Sequence, residues 1–111
     1  MAETPLVNNV KVSAVDTITL LYTAPPTGGG TVITAFTVSN SSSASVSYKA
    51  YILDASGAAV DPVVPLKIVV KDRFDSAPGI INQVITPGGS LRVENSTGDS
   101  LSFYVTGREQ A

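Results

Sequence analysis

"TAPPTGGGTVITAFTVSN", residues 23–40, decides how the chain is to be read. Its first half holds two prolines and three consecutive glycines, and its second half is β-branched and apolar with no helical period. A phosphate-cradling loop needs a Lys and a Ser or Thr behind its glycines, at the opening of a helix. Gly28, Gly29 and Gly30 run instead into Thr31 and Val32, which favour strand. The other reading is a connection between two strands: Pro25 and Pro26 stiffen the exit of one strand, and the glycines form a flexible tip before the next. That reading makes the chain β from this point outward.

Period-two alternation supports it. In "SVSYKAYILD", residues 45–54, Val46, Tyr48, Ala50 and Ile52 fall on one side while Ser47, Lys49, Tyr51 and Leu53 fall on the other. The same rule groups Val32, Thr34, Phe36 and Val38, then Leu66, Ile68 and Val70, then Leu101, Phe103 and Val105. Eight strands are expected, over 7–13, 18–23, 31–39, 45–54, 66–71, 80–86, 90–95 and 100–107. Turn-forming clusters such as "NSSSAS", "TPGGS" and "NSTGDS" separate them. The expected fold is all-β, an antiparallel β-sandwich of about eight strands, jelly-roll or immunoglobulin-like, with no helix. Segment 56–65, "SGAAVDPVVP", is apolar but carries two prolines. It reads as an extended crossover along the sandwich or as an arm reaching a neighbouring subunit.

Composition agrees. The 111 residues make one domain, 1–111, with residues 1–6 expected as a flexible N-terminal tail. Valine occupies fifteen positions and Ser plus Thr twenty-four, a β-favouring mixture. The net charge of −2 comes with scattered cations, which argues against nucleic acid as a partner. No stretch approaches the ~20 apolar residues that span a bilayer, so no membrane partner is expected. "MAETPLVNNV" lacks the pattern of a signal peptide, which suits synthesis in a cytoplasm.

Catalytic chemistry is hard to assemble from these residues. The chain has no His and no Cys, which removes a Ser–His–Asp arrangement, thiolate chemistry and the commonest general base near neutral pH. "DASGAAVD", with Asp54, Ser56 and Asp61, lacks the ligand order of a calcium loop. Asp72, Asp75 and Asp99 read as solvated turn carboxylates. No enzyme activity, metal or cofactor is expected. Tyr48 belongs to a core face. Tyr51 and Tyr104 stand opposite their strands' apolar faces, where an exposed pair suits a subunit interface or a sugar platform. Lys71, Arg73 and Phe74 in "KIVVKDRFDS" and Val60, Val63 and Val64 in the preceding segment are the candidate contact residues for a partner.

Two stretches resemble small β-sandwich structural proteins of tailed bacteriophages. "LLYTAPPTGGGTVITAFTVSNSSSASVSYKAYIL", residues 20–53, is similar to that family's Leu-Tyr-Thr strand, proline-bearing turn and Val/Ile-rich strand ending in Asn. "ITPGGSLRVENSTGDSLSFYVTGRE", residues 85–109, is similar to its closing hairpin, which ends near Gly-x-Glu. The chain departs from the pattern between Ala55 and Asn82. The resemblance implies a virion component: a homo-oligomeric capsid decoration (cement) protein, or a neck or tail protein, that binds the major capsid protein or the neck and tail proteins. It would be made in the host bacterial cytoplasm. The alternative is a carbohydrate- or receptor-binding module on a tail or appendage.

Overall fold

The computed structural model describes residues 3–57, 63–69, 71–76 and 79–111. Among these residues nine strands follow one another: β1 (Thr4–Lys11), β2 (Thr19–Thr23), β3 (Thr31–Asn40), β4 (Val46–Leu53), β5 (Val64–Val69), β6 (Phe74–Ser76), β7 (Val84–Ile85), β8 (Ser90–Asn95) and β9 (Leu101–Glu109). Every pairing is antiparallel, and the described residues contain no helix. Sheet I has the order β1-β9-β3-β6, with β7 also paired to β3, and sheet II has the order β2-β8-β4-β5.

The pairing is nested. The first strand joins the last, β2 joins β8, β3 joins β6 and β7, and β4 joins β5. β6 lies beside residues 37–39 of β3 and β7 beside residues 31–32, so they act as two halves of one interrupted strand. A nest of antiparallel pairs whose strands fall alternately into two sheets is the jelly-roll arrangement. An immunoglobulin-like sandwich would instead place the first strand beside the second.

The two sheets are held together by apolar side chains from their facing sides. Phe36 and Phe103 come from sheet I and Tyr48 from sheet II, and all three are buried. Their rings lie 5.9–6.3 Å apart, with Phe36 stacked on Tyr48 and Phe103 edge-on to both. Such pairs contribute about 0.5–1.5 kcal/mol each beyond the area they bury. Val38, Leu101 and Val105 face Val46, Ala50, Leu91 and Val93 across the same core. The inward faces of β4 and β9 are those the alternation predicts.

Elsewhere the strands depart from strict alternation. In β3 the inward residues are Thr31 and Ile33, then Phe36, Val38 and Asn40. A bulge between Ile33 and Ala35 changes the face, so Val32 and Thr34 lie outside the core. An extra residue on one strand shifts every side chain beyond it to the opposite side. β5 does the same: Tyr48 pairs with Lys67 but Ala50 pairs with Val64, which leaves one extra residue on β5. Val64 and Val69 are buried in consequence, while Leu66 and Ile68, which alternation groups on one face, are exposed. Val70 lies outside the described residues.

At the N-terminal side, β1 begins at Thr4, where a flexible tail was expected. Thr4 pairs with Gly107 and Pro5 with Thr106. An edge strand tolerates Pro5 because a proline nitrogen turned to solvent donates nothing to the ladder. The glycines of the opening stretch also differ from expectation, being seats rather than a flexible tip. Gly30 has φ +86°, and a Cβ there would run into the Ile85 carbonyl. A Cβ on Gly28, at φ +91°, would come within 2.6 Å of the Gln110 carbonyl. Gln110 N–H donates to Gly30 O at 2.8 Å, so residues 28–30 hold the exit of β9 in place.

Candidate interaction surface

β5 and β6 are the last strands on the same side of the two sheets, and their mutual position depends on one buried side chain. Asn40, at the end of β3, donates from Nδ2 to Ala44 O and Val69 O, both at 2.8 Å. Its Oδ1 accepts from Ser42 N–H at 2.9 Å and Ser42 Oγ–H at 2.7 Å. Its backbone N–H donates to Arg73 O, and its carbonyl accepts from Asp72 N–H. Asn40 therefore fixes the end of β5 and the turn into β6 together. Asp72 sits in that turn at φ +57°, a left-handed conformation that Asp tolerates better than most residues.

The surface this joint creates is apolar at its centre. Leu66 is 57 % exposed, Ile68 65 % and Phe74 77 %. A hollow of about 360 Å³ between the strands is lined by Ile68, Val69, Arg73, Phe74 and Asp75. A second, of about 180 Å³, lies on the other side of the Leu66–Ile68 ridge, lined by Asp16, Ser47, Tyr48, Lys49, Leu66, Glu94 and Ser96. Lys67 Nζ lies 3.4 Å from Asp75 Oδ2, an ion pair joining the two sheets at this edge. The contact lacks hydrogen-bond alignment, and Asp75 Oδ2 has no hydrogen-bond partner among the described residues. The Tyr48 hydroxyl is in the same condition. Burial first, and then the nearby Asp75 charge, raise the Tyr48 pKa.

The contact residues expected from sequence separate into groups. Lys71, Arg73 and Phe74 are exposed on this edge and Val63 is half-buried beside it, whereas Val64 is buried and offers the outside nothing. Val60 lies outside the described residues. Tyr51 and Tyr104 do not form a common platform, because Tyr51 is on β4 of sheet II and Tyr104 on β9 of sheet I. Tyr51 is only 8 % exposed. Its hydroxyl donates to Glu94 Oε1 at 2.7 Å, and that bond, with a smaller effect of burial, pushes its pKa up to about 12. Tyr104 donates to Asn9 Oδ1 at 3.2 Å.

The carboxylates of the turns do not converge. Among the described residues no group of three or more His, Cys, Asp or Glu is placed to hold a metal ion. Asp54 closes a turn instead, accepting from Ser56 N–H and Ser56 Oγ–H, and Asp61 lies outside the described residues. No described helix is long and apolar enough to cross a membrane.

A second junction between the sheets has no counterpart among the residues singled out from the sequence. The Tyr22 hydroxyl donates to Glu109 Oε2 at 2.5 Å and shares a 3.0 Å hydrogen bond with Thr31 Oγ1. It joins β2 of sheet II to β3 and β9 of sheet I. Burial, then the Glu109 bond, raise the Tyr22 pKa, while the Thr31 bond works the other way. The signal was present in the Leu-Tyr-Thr and Gly-x-Glu stretches, but only the nested pairing brings residues 22 and 109 together. Compared with known protein families, curated proteins and solved structures, the chain matches none.

Proposed function

We propose that this chain is a non-enzymatic structural protein of a bacteriophage virion, binding and stabilising the capsid or the head–tail assembly as a homo-oligomer. The observation that carries the homo-oligomer part of the reading is the exposed cluster of Leu66, Ile68 and Phe74 along one sandwich edge, beside Lys71 and Arg73. Contiguous exposed apolar side chains with a polar rim are how protein-binding surfaces differ from ordinary ones. The chain's lack of His and Cys fits work done by an outer surface rather than in a catalytic cleft. The resemblance of residues 20–53 and 85–109 to small phage sandwich proteins supplies the biological setting. The jelly roll agrees with it only by analogy, since viral capsid proteins, lectins and cupins all use that architecture.

A shell repeats the same site many times, so a modest contact made by each subunit of an oligomer gains strength through avidity. The test is mass spectrometry of particles purified from the source strain, together with uptake of the recombinant chain by particles lacking it. Stoichiometric presence and saturable uptake are expected. Absence from purified particles, with no uptake, overturns the reading.

A further inference from the structure

We infer that the β5–β6 edge is a twofold self-association surface, and that its occupant is a second copy of this chain. In this arrangement the Leu66–Ile68 ridge lies on the axis. Arg73 and Phe74 of each copy enter the hollow bounded by Asp16, Lys49 and Glu94 on its partner.

Charge is the first argument. On one flank of the ridge stand Lys71, Asp72 and Arg73, with Asp75 already paired to Lys67, which leaves one positive charge in excess. The hollow on the other flank holds Asp16, Lys49 and Glu94, which leaves one negative charge in excess. Rotation by 180° about the ridge lays each flank on its opposite. The patch is therefore complementary to itself, as an isologous contact requires. Glu94 keeps its second oxygen for this contact while Oε1 accepts from Tyr51.

Shape and size are the second argument. Among the described residues the three most exposed large apolar side chains are Phe74, Ile68 and Leu66, and they stand at the centre of the patch with charged residues around them. An apolar centre with aromatic and Arg anchors and a polar rim is the usual anatomy of an interface. The molecule measures 42 × 29 × 21 Å, so a side of it provides the area of about 800 Å² that a standard contact covers on each partner. The bulge in β5 gives the ridge its place: without the extra residue Leu66 and Ile68 would not both face outward alongside a buried Val64.

This deepens the reading of the chain as a homo-oligomer and rests on it, yet the two fail separately. The test is light scattering after size exclusion and sedimentation equilibrium on the full chain, up to millimolar concentration and at two salt levels. Wild type is expected as a dimer that weakens as salt rises. Ile68→Glu and Phe74→Ser are each expected to raise Kd at least about tenfold, with the same thermal unfolding as wild type at dilutions where both are monomeric. Arg73→Glu and Glu94→Arg are each expected to weaken the dimer, and the double variant to recover much of the loss. That recovery is specific to a pairing across the axis. A wild type that stays monomeric overturns both this contact and the homo-oligomer reading. An oligomer indifferent to Ile68→Glu and Phe74→Ser, or one without a twofold, overturns this contact alone.

Discussion

Among the described residues, two of the junctions between the sheets are of opposite character. At one, Tyr22, Thr31 and Glu109 meet in short hydrogen bonds around a completely buried Thr31. At the other, Lys67 and Asp75 form an ion pair whose side chains remain 39 % and 29 % exposed. Exposed Leu66, Ile68 and Phe74 surround that pair, and the Tyr48 hydroxyl beneath it has no described partner. The first junction satisfies its polar groups within the chain and presents little to the outside. The second leaves apolar area in water and carries charges in an arrangement that a symmetric copy would complement. The contrast separates a junction that serves folding from one available for association.

The largest effect that tests this contrast lies in the core both junctions share. Phe103→Ala removes the ring that sits edge-on to Phe36 and Tyr48, and is expected to cost about 3–5 kcal/mol by chemical denaturation. Asn40→Ala is next. It strips partners from the carbonyls of Ala44 and Val69 and from the Ser42 amide, for an expected loss of about 2–4 kcal/mol. It should also disturb the β5–β6 edge more than the Tyr22 junction, which hydrogen exchange will resolve strand by strand.

Alkaline pH probes the tyrosines that are buried or bonded to a carboxylate. Tyr22, Tyr48 and Tyr51 all hold their protons more tightly when folded than an unfolded tyrosine does. Their contribution is therefore complete below the unfolded pKa of about 10 and is lost as the pH rises through the folded values. Thermal unfolding should stay level up to about pH 10 and fall above it. Tyr51 should release its proton near pH 12, as read by tyrosinate absorbance. Tyrosines that all titrate at ordinary values in the folded chain would contradict the burial of Tyr48 and the bonds of Tyr22 to Glu109 and Tyr51 to Glu94. The smallest effect belongs to the ion pair. Lys67→Met is expected to change stability by no more than about 1 kcal/mol, because both partners are partly solvated. A loss comparable to that of Asn40→Ala would show that the open edge is as integral to folding as the closed one.

Much of the fold was legible because alternation is a local property. β4 and β9 alternate without interruption along their core-facing stretches, so Val46, Tyr48, Ala50, Leu101, Phe103 and Val105 could be placed inside from their spacing alone. Each of the eight expected strands has a counterpart, but β6 was missed because three residues in a charged run carry no period. The strand expected over 80–86 is shorter, Val84–Ile85, because apolar Ile80 is buried from a turn rather than from a strand. The candidate surface was legible only in part. The charged run "KDRFDS" marks residues 71–74 as a solvated edge, and Lys71, Arg73 and Phe74 are exposed there. Alternation groups Leu66 and Ile68 on one face, but nothing in "VPLKIV" marks the β5 bulge that sets them outward beside a buried Val64.

What the sequence determined by itself is the β class, the two-sided rhythm of its strands, and the absence of the side chains from which His- or Cys-dependent catalysis is built. Tertiary structure decided the nested order that makes a jelly roll, the bulges in β3 and β5, and the meeting of Tyr22 with Glu109. The physical reason is range. Side-chain alternation follows from the dihedrals of neighbouring residues, whereas register, bulges and junctions between sheets depend on which distant strand lies alongside.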